Sequence, residues 1–356
     1  MYNFEHLGPV KWDVCACLFL MFTLIYFAIW KGIRFTGKVL IGTVSSSYLL
    51  LLLLLVKVLT LDGALEGIRQ FLLPSVIRLT EFDIWIAASA QVFYTIQPCF
   101  GVHLTLASYR DRRYENVVRD AVVICTAIAG SSLLFLLMFS SIIGHLAMLR
   151  DVSVESLMRA IQIDMFIMFK EVPETLLALP LSTMWSTFYF LMLALMAFDT
   201  MLLLLESIVT AIIDEWPSLR KRKLVALAVV VISFICSLPT TTCGGVYLMR
   251  FLDTYCSQLS IFLLAFLQVI AVGVYRRAQT NVQSRFIQCV TLACFSVEVF
   301  FLIGMFAVLM LLGVTPWYGE YVYPKWSLIL GQILGFCPAL CVFLYCGYLL
   351  RRFCFR

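Results

Sequence analysis

Charge is what this 356-residue chain has least of. Aspartate, glutamate, lysine and arginine together make up 13% of it, about half their usual share in soluble domains. The net charge of +5 is modest, and no nucleic-acid partner is expected from it. Histidine is scarcer still: three residues, in no cluster, and no two cysteines form a C-x-x-C pair. That pattern excludes the usual zinc ligand spacings. The thirteen cysteines are odd in number and lie almost all inside apolar runs, which argues against a secreted disulfide framework. No N-x-S/T acceptor occurs, so glycosylation marks neither face. An acidic N-terminus without a basic n-region or a cleavage site predicts no signal peptide. The chain also lacks a phosphate-cradling glycine loop and a nucleophile elbow, so it is not expected to be an enzyme.

What the chain does have is apolar length. It is 62% hydrophobic, with a mean hydropathy of +0.98, well above the roughly 45–50% of soluble proteins. The expected fold class is all-α: a polytopic transmembrane helical bundle. Runs of about 18–25 apolar residues predict nine spans, near 12–30, 39–57, 83–107, 119–145, 186–213, 224–243, 249–274, 287–312 and 326–350, in a single membrane domain over 1–356. The mixed charges of 146–185 forbid spanning, and its Leu, Met and Phe residues predict short helices in an extracellular loop. Lysine and arginine set the orientation. One set of alternating connections, KGIRFTGK, YRDRRYENVVR, LRKRK, RRAQTNVQSR and RRFCFR, holds 17 of the 26 basic residues. Those connections are expected in the cytoplasm, with the N-terminus outside and the C-terminus inside.

Several polar residues in the apolar runs need more than lipid to explain them. In AQVFYTIQPCFG (90–101), Gln91, Thr95 and Pro98 fall at i, i+4 and i+7, one helix face. Proline removes a backbone hydrogen bond and clashes with the carbonyl four residues earlier. Backbone groups freed at membrane depth must be buried in protein or face a wet cavity. Two readings stay open here: a discontinuous helix lining a solute or ion site, or a kinked helix whose polar face bonds its neighbours. A second stretch, FYFLMLALMAFDTMLLLLESIVTAIIDEWP (188–217), places Asp199 and Glu206 within a span. A mid-bilayer carboxylate costs about 2.5–3.5 kcal/mol on insertion scales, so such groups face an interior and usually carry function. Asp199 beside the hydroxyl of Thr200 offers oxygen ligands, the chemistry of a hard cation such as sodium. Glu206 reads instead as a structural hydrogen-bonding group toward a neighbouring helix. In SLPTTTCGGVYLMRFLDTY (237–255), Gly244 and Gly245 allow an outer turn. Asp253 is either half of a salt bridge at an entrance or a solvated helix-end carboxylate.

Together with WKGIRFTGKV (30–39), ASY (107–109), FDT, LESIVTAIIDEWP and YPKWSLILGQILG (323–335), these stretches resemble the neurotransmitter:sodium symporter family, solute carrier family 6. The resemblance runs in order over essentially the whole chain. It implies the family's inverted-repeat fold, in which a broken helix opens each repeat and solute and ions bind between the breaks. On that fold the nine spans look like helices four to twelve, with 83–107 as the broken helix of the second repeat. The first three are then expected to be missing. Residue by residue, the resemblance implies sodium ligands at Thr95, Met196, Asp199 and Thr200, and chloride ligands at Gln91, Thr95 and Ser132. It implies solute contacts at Tyr94, Gln97, Phe100, Thr200 and Leu204, and gating residues at Tyr109, Asp214 and Asp253.

Some positions depart from the family pattern. Ile128 stands where an asparagine usually completes the first sodium site. Gln97, Cys99, Leu203 and Leu204 stand where smaller residues are common, so the pocket is expected to be reduced or reshaped. The function implied is sodium-coupled, and chloride-assisted, symport of a small amino-acid-like or amine solute in the plasma membrane, with no cofactor beyond the coupling ions. The 356 residues alone are expected not to transport. The alternative is a non-transporting partner that regulates full-length relatives, and the expected partners are the bilayer, a small solute, and a full-length relative or second copy of the chain.

Overall fold

The computed structural model of the chain describes residues 4–73, 79–98, 100–110, 117–160, 167–216, 221–279, 304, 316 and 321–354. Among them the regular elements are all helical: α1 (Trp12–Ile29), α2 (Ile33–Leu59), α3 (Ala64–Leu72), α4 (Phe82–Ile96), α5 (Val102–Ser108), α6 (Val117–Leu149), α7 (Val154–Ala160), α8 (Val172–Leu177), α9 (Ser182–Glu215), α10 (Arg222–Ser237), α11 (Gly245–Leu252), α12 (Ser260–Gln279) and α13 (Lys325–Cys354). A π-helical turn, Asp253–Leu259, joins α11 to α12.

Seven helical segments among the described residues are long and apolar enough to cross a membrane: Trp12–Ile29, Ile33–Leu59, Arg119–Leu149, Ser182–Glu215, Arg222–Thr241, Gly245–Ala271 and Lys325–Tyr348. Helices are the natural answer to such runs, because they satisfy every backbone group internally where no water can. Of the expected span 287–312 only residue 304 is among the described residues. The expected span 83–107 exists as two pieces, α4 and α5, separated at Gln97–Gly101.

The chain divides into two compact units. One comprises Trp12–Thr80 and Val102–Leu238. In it α2 and α9 pack along a long seam, and α10 lies against α9 and α1. Helix face, not residue type, decides which leucines are inside. In the leucine-rich half of α2, Leu51, Leu54, Leu55 and Val58 are buried, while Leu49, Leu52, Leu53 and Val56 are exposed. The buried set recurs at i, i+3, i+4 and i+7 and meets Met138 and Ile142 of α6 and Tyr189 and Met192 of α9. A second core joins Ile25 and Ile29 of α1, Leu202 and Val209 of α9, and Ala226 and Val230 of α10. Helix α3 approaches α6 closely through Gly67 and Gly144. A Cβ on either would collide with backbone of the other helix, the small-residue contact that membrane helices favour.

Between α6 and α9, Arg150 donates to Glu171 at 2.7 Å and Glu174 at 2.9 Å. The Glu174 hydrogen bond raises the Arg150 pKa above its ordinary value, against an opposing desolvation. The buried Tyr189 hydroxyl donates to the Met168 carbonyl at 2.9 Å, which ties this segment down onto α9.

The other unit comprises Met1–Lys11, Glu81–Gly101 and Pro239–Arg356. Its aromatic cluster of Phe251, Tyr255 and Tyr323 takes in Phe4, and the Tyr323 hydroxyl donates to the Tyr247 carbonyl at 2.9 Å. The N-terminal strap is held by backbone bonds from Gly244 N to Leu7 O and from Cys243 N to Pro9 O. Ser260 Oγ of α12 donates to the Gly335 carbonyl of α13 at 2.8 Å. Helix α4 meets α12 through Phe93 and Phe262, ring centroids 5.5 Å apart.

Candidate functional site

Helix α4 stops at Gln97 for a local reason. Pro98 disfavours the right-handed helical region for the residue before it, and Gln97 adopts φ 53° and ψ 44° instead. Its amide still bonds Phe93 O at 3.0 Å, closing the last turn. Gly101, at φ 78°, turns the chain in a conformation that glycine adopts without a side-chain penalty. The polar stripe seen in the sequence ends at a real break, as a discontinuous helix requires. Cys99 falls outside the described residues.

On α4, Thr95 Oγ1 donates to Gln91 O at 2.7 Å, and Gln91 Nε2 reaches Thr95 Oγ1 at 3.5 Å. Both side chains are exposed, as are Tyr94 and Phe100. Gln91, Tyr94 and Thr95 are thus gathered on the last turns of one helix, with Gln97 and Phe100 in the break. Asp253, at the start of the π-helical turn, lies 3.6 Å from Arg250 Nη1 in an i,i+3 ion pair.

The second group of expected residues lies on α9, in the other unit. Asp199 is 9% exposed, and its Oδ1 accepts a hydrogen bond from Thr43 Oγ1 of α2. One residue on, Thr200 Oγ1 donates to Met196 O at 3.0 Å. Carboxylate, hydroxyl and carbonyl therefore lie within one turn of α9, oxygen groups of the kind a hard cation takes, with Asp199 buried against α2 and Thr200 exposed. No cluster of three or more His, Cys, Asp or Glu suited to a transition metal occurs among the described residues. Leu203 and Leu204 continue the helix, both half-buried. On α6, Ser132 is exposed and Ile128 half-buried.

Further along α9, Glu206 is 1% exposed and its Oε1 accepts from Arg222 Nη2 of α10 at 2.5 Å. This is the inter-helix hydrogen bond its sequence position suggested. Arg222 also reaches the carbonyl of Ile29 on α1 at 3.4 Å. Tyr109, just past α5, bonds through its hydroxyl to Thr210 Oγ1 at 3.0 Å, while Asp214 is exposed one turn later. A cavity of about 680 Å³ opens beside this ion pair, lined by Trp30, Lys31, Lys221, Arg222, Lys223 and Leu224. It contains none of the expected solute-contacting residues.

Sequence reasoning missed two participants. Thr43 sits in GTVSSSY, a polar interruption of a span that the rule applied to Asp199 would also have flagged. Arg222 was counted only as one of the cytoplasmic charges of LRKRK.

Comparison with known proteins agrees with these features. A family model described as the sodium:neurotransmitter symporter family matches residues 2–353. The sodium-dependent serotonin transporter of Drosophila melanogaster is 33% identical over 356 residues, covering 97% of this chain and 56% of that protein. The sodium- and chloride-dependent glycine transporter 2 of Xenopus laevis is 29% identical over 352 residues, covering 94% of this chain and 43% of that one. The chain spans about half the length of these curated relatives.

Proposed function

We propose a function from one premise: the chain belongs to the sodium:neurotransmitter symporter family. Its residues form part of a multi-pass membrane symporter that couples movement of a small amine or amino-acid-like solute to sodium, with chloride as a second ion. Met196, Asp199 and Thr200 are sodium ligands. Gln91, Thr95 and Ser132 are chloride ligands, and Thr95 also serves sodium. Tyr94, Gln97, Phe100, Thr200 and Leu204 contact the solute, and Tyr109, Asp214 and Asp253 gate access to it. The membrane is the plasma membrane, with LRKRK and the other basic connections on the cytoplasmic side. The three oxygens on α9 fall short of the six or so that hard cations take. The shell is therefore completed by other groups or by water.

The observation that carries this reading is Asp199. It is a buried carboxylate in the middle of a 34-residue apolar helix, with a hydroxyl and a carbonyl beside it. Burial of an acid in such a place is costly and is kept for a purpose. The test is sodium-dependent stabilisation of the purified chain in nanodiscs. A ligand that binds only the folded state at about a hundred times its Kd adds about 2.7 kcal/mol. Sodium, but not potassium or choline, should raise the thermal midpoint, and Asp199→Asn should abolish the rise. A sodium response that Asp199→Asn leaves intact would remove this site from the reading.

A further inference from the structure

The hydroxyl of Thr43 has more acceptors than it can serve. It carries one proton and two lone pairs, and three oxygens lie within its reach: Asp199 Oδ1 across the α2–α9 seam, Val39 O at 3.0 Å and Leu40 O at 3.3 Å on its own helix. Donation to Asp199 stabilises the bare carboxylate. Donation to Val39 is the ordinary back-bond of a threonine in a helix, and it turns a lone pair toward Asp199. Two lone-pair-bearing oxygens facing each other repel unless something positive lies between them. The back-bonded state therefore becomes favourable when a cation occupies that place.

We propose that Thr43 is a further ligand of the sodium site, with its proton acting as the switch. Without sodium it donates to Asp199. With sodium bound the O–H turns to donate to Val39 O, and Oγ1, still carrying its proton, joins the Asp199 carboxylate, the Thr200 hydroxyl and the Met196 carbonyl as a fourth protein ligand group. This inference rests on the reading of Asp199 as a sodium ligand. It adds the helix α2 to a site otherwise built, in this unit, from α9 alone, so that ion occupancy bears on the seam between the two helices.

The test is equilibrium binding of radioactive sodium to the whole 356-residue chain in nanodiscs. The variants are Thr43→Val, which keeps the shape and removes the hydroxyl, Thr43→Ser, which keeps the hydroxyl, and Asp199→Asn. Thr43→Val should weaken sodium binding about tenfold or more, as loss of a group that orients and supports a metal ligand does. Thr43→Ser should stay within about threefold of the parent. Thermal midpoints in sodium-free buffer separate an ion effect from a folding defect, and Thr43→Ala replaces Thr43→Val if the latter does not fold. Loss of binding in Asp199→Asn with an unchanged Thr43→Val would overturn the role of Thr43 and leave the Asp199 site standing. Equal weakening in Thr43→Val and Thr43→Ser would also overturn it, because side-chain shape would then be the cause. Unaltered binding in Asp199→Asn, or no binding by the parent, would overturn the site itself.

Discussion

The polar residues of α9 and those of α4 both sit in apolar runs, yet they are held in opposite ways. On α9, Asp199 and Glu206 are buried and each is met by a side chain from another helix, Thr43 of α2 and Arg222 of α10. On α4, Gln91 and Thr95 are exposed and bond each other and their own backbone. The first pattern is tertiary: removing one partner strands the other in a medium that cannot solvate it. The second is local: the helix satisfies its own polar groups and then stops where Pro98 and Gln97 force it to. Polar residues of the first kind tie one helix to another, and Asp199 does so while also serving as the proposed sodium ligand. Those of the second kind bond only within their own helix among the described residues.

The sharpest way to break this contrast is at Arg222. Replacing it by alanine leaves the Glu206 carboxylate, 1% exposed, without its cation. Removing one member of a buried pair costs about 3–5 kcal/mol, whereas replacing both by apolar groups of similar size is often neutral. Arg222→Ala should therefore lower the unfolding free energy by about that amount, measured by denaturation in mixed micelles. The double variant Glu206→Leu with Arg222→Met should recover most of the loss. If Arg222→Ala is nearly silent, the pair does not clamp α10 to α9, and the tertiary half of the contrast fails.

A smaller effect is expected at the break itself. Gln97 holds a left-handed conformation that costs an L-residue about 1–2 kcal/mol and glycine almost nothing. If Pro98 imposes the break, Gln97→Gly should stabilise the chain by about 1 kcal/mol, and hydrogen exchange of the residue 97, Phe100 and Gly101 amides should not become slower. A destabilised Gln97→Gly would mean that the glutamine side chain, not the proline, sets the conformation there.

These two sites also mark what could be read from the residues alone. A disruption at Pro98 was legible because its cause is covalent, a proline having no amide hydrogen wherever it stands, but kink and break stayed open until the backbone of Gln97 and Gly101 was seen. The membrane class was legible from run length, and Asp199 from the cost of its charge. Arg222 was not, and Thr43 was legible only as one polar residue of GTVSSSY, because their importance lies in what they face across a helix seam, and a helical run of leucines carries no amphipathic signal to set that register. In SYLLLLLLLVKVL the buried and exposed leucines are chemically identical. Lipid is as apolar as a protein core, so the usual periodic mark of an inner face is not written there.

The smallest structural effect, and the most informative, is expected at Thr95. Its hydroxyl bonds only within α4 among the described residues, to Gln91 O at 2.7 Å and with Gln91 Nε2 at 3.5 Å. Valine has nearly the same shape and needs no acceptor, so Thr95→Val should change stability by less than about 0.5 kcal/mol, as exposed substitutions usually do. Its consequence should appear in the ions instead. Chloride, read as the shift it gives to the sodium-dependent thermal midpoint, should lose its effect, because the hydroxyl donor and the partner that orients the Gln91 amide leave together. A silent fold with a lost chloride response identifies α4 as the surface kept free for ligands. A loss of more than about 1.5 kcal/mol would instead place Thr95 with the buried, clamped groups that define the severe end of the range, and α4 and α9 would then hold their polar residues in the same way.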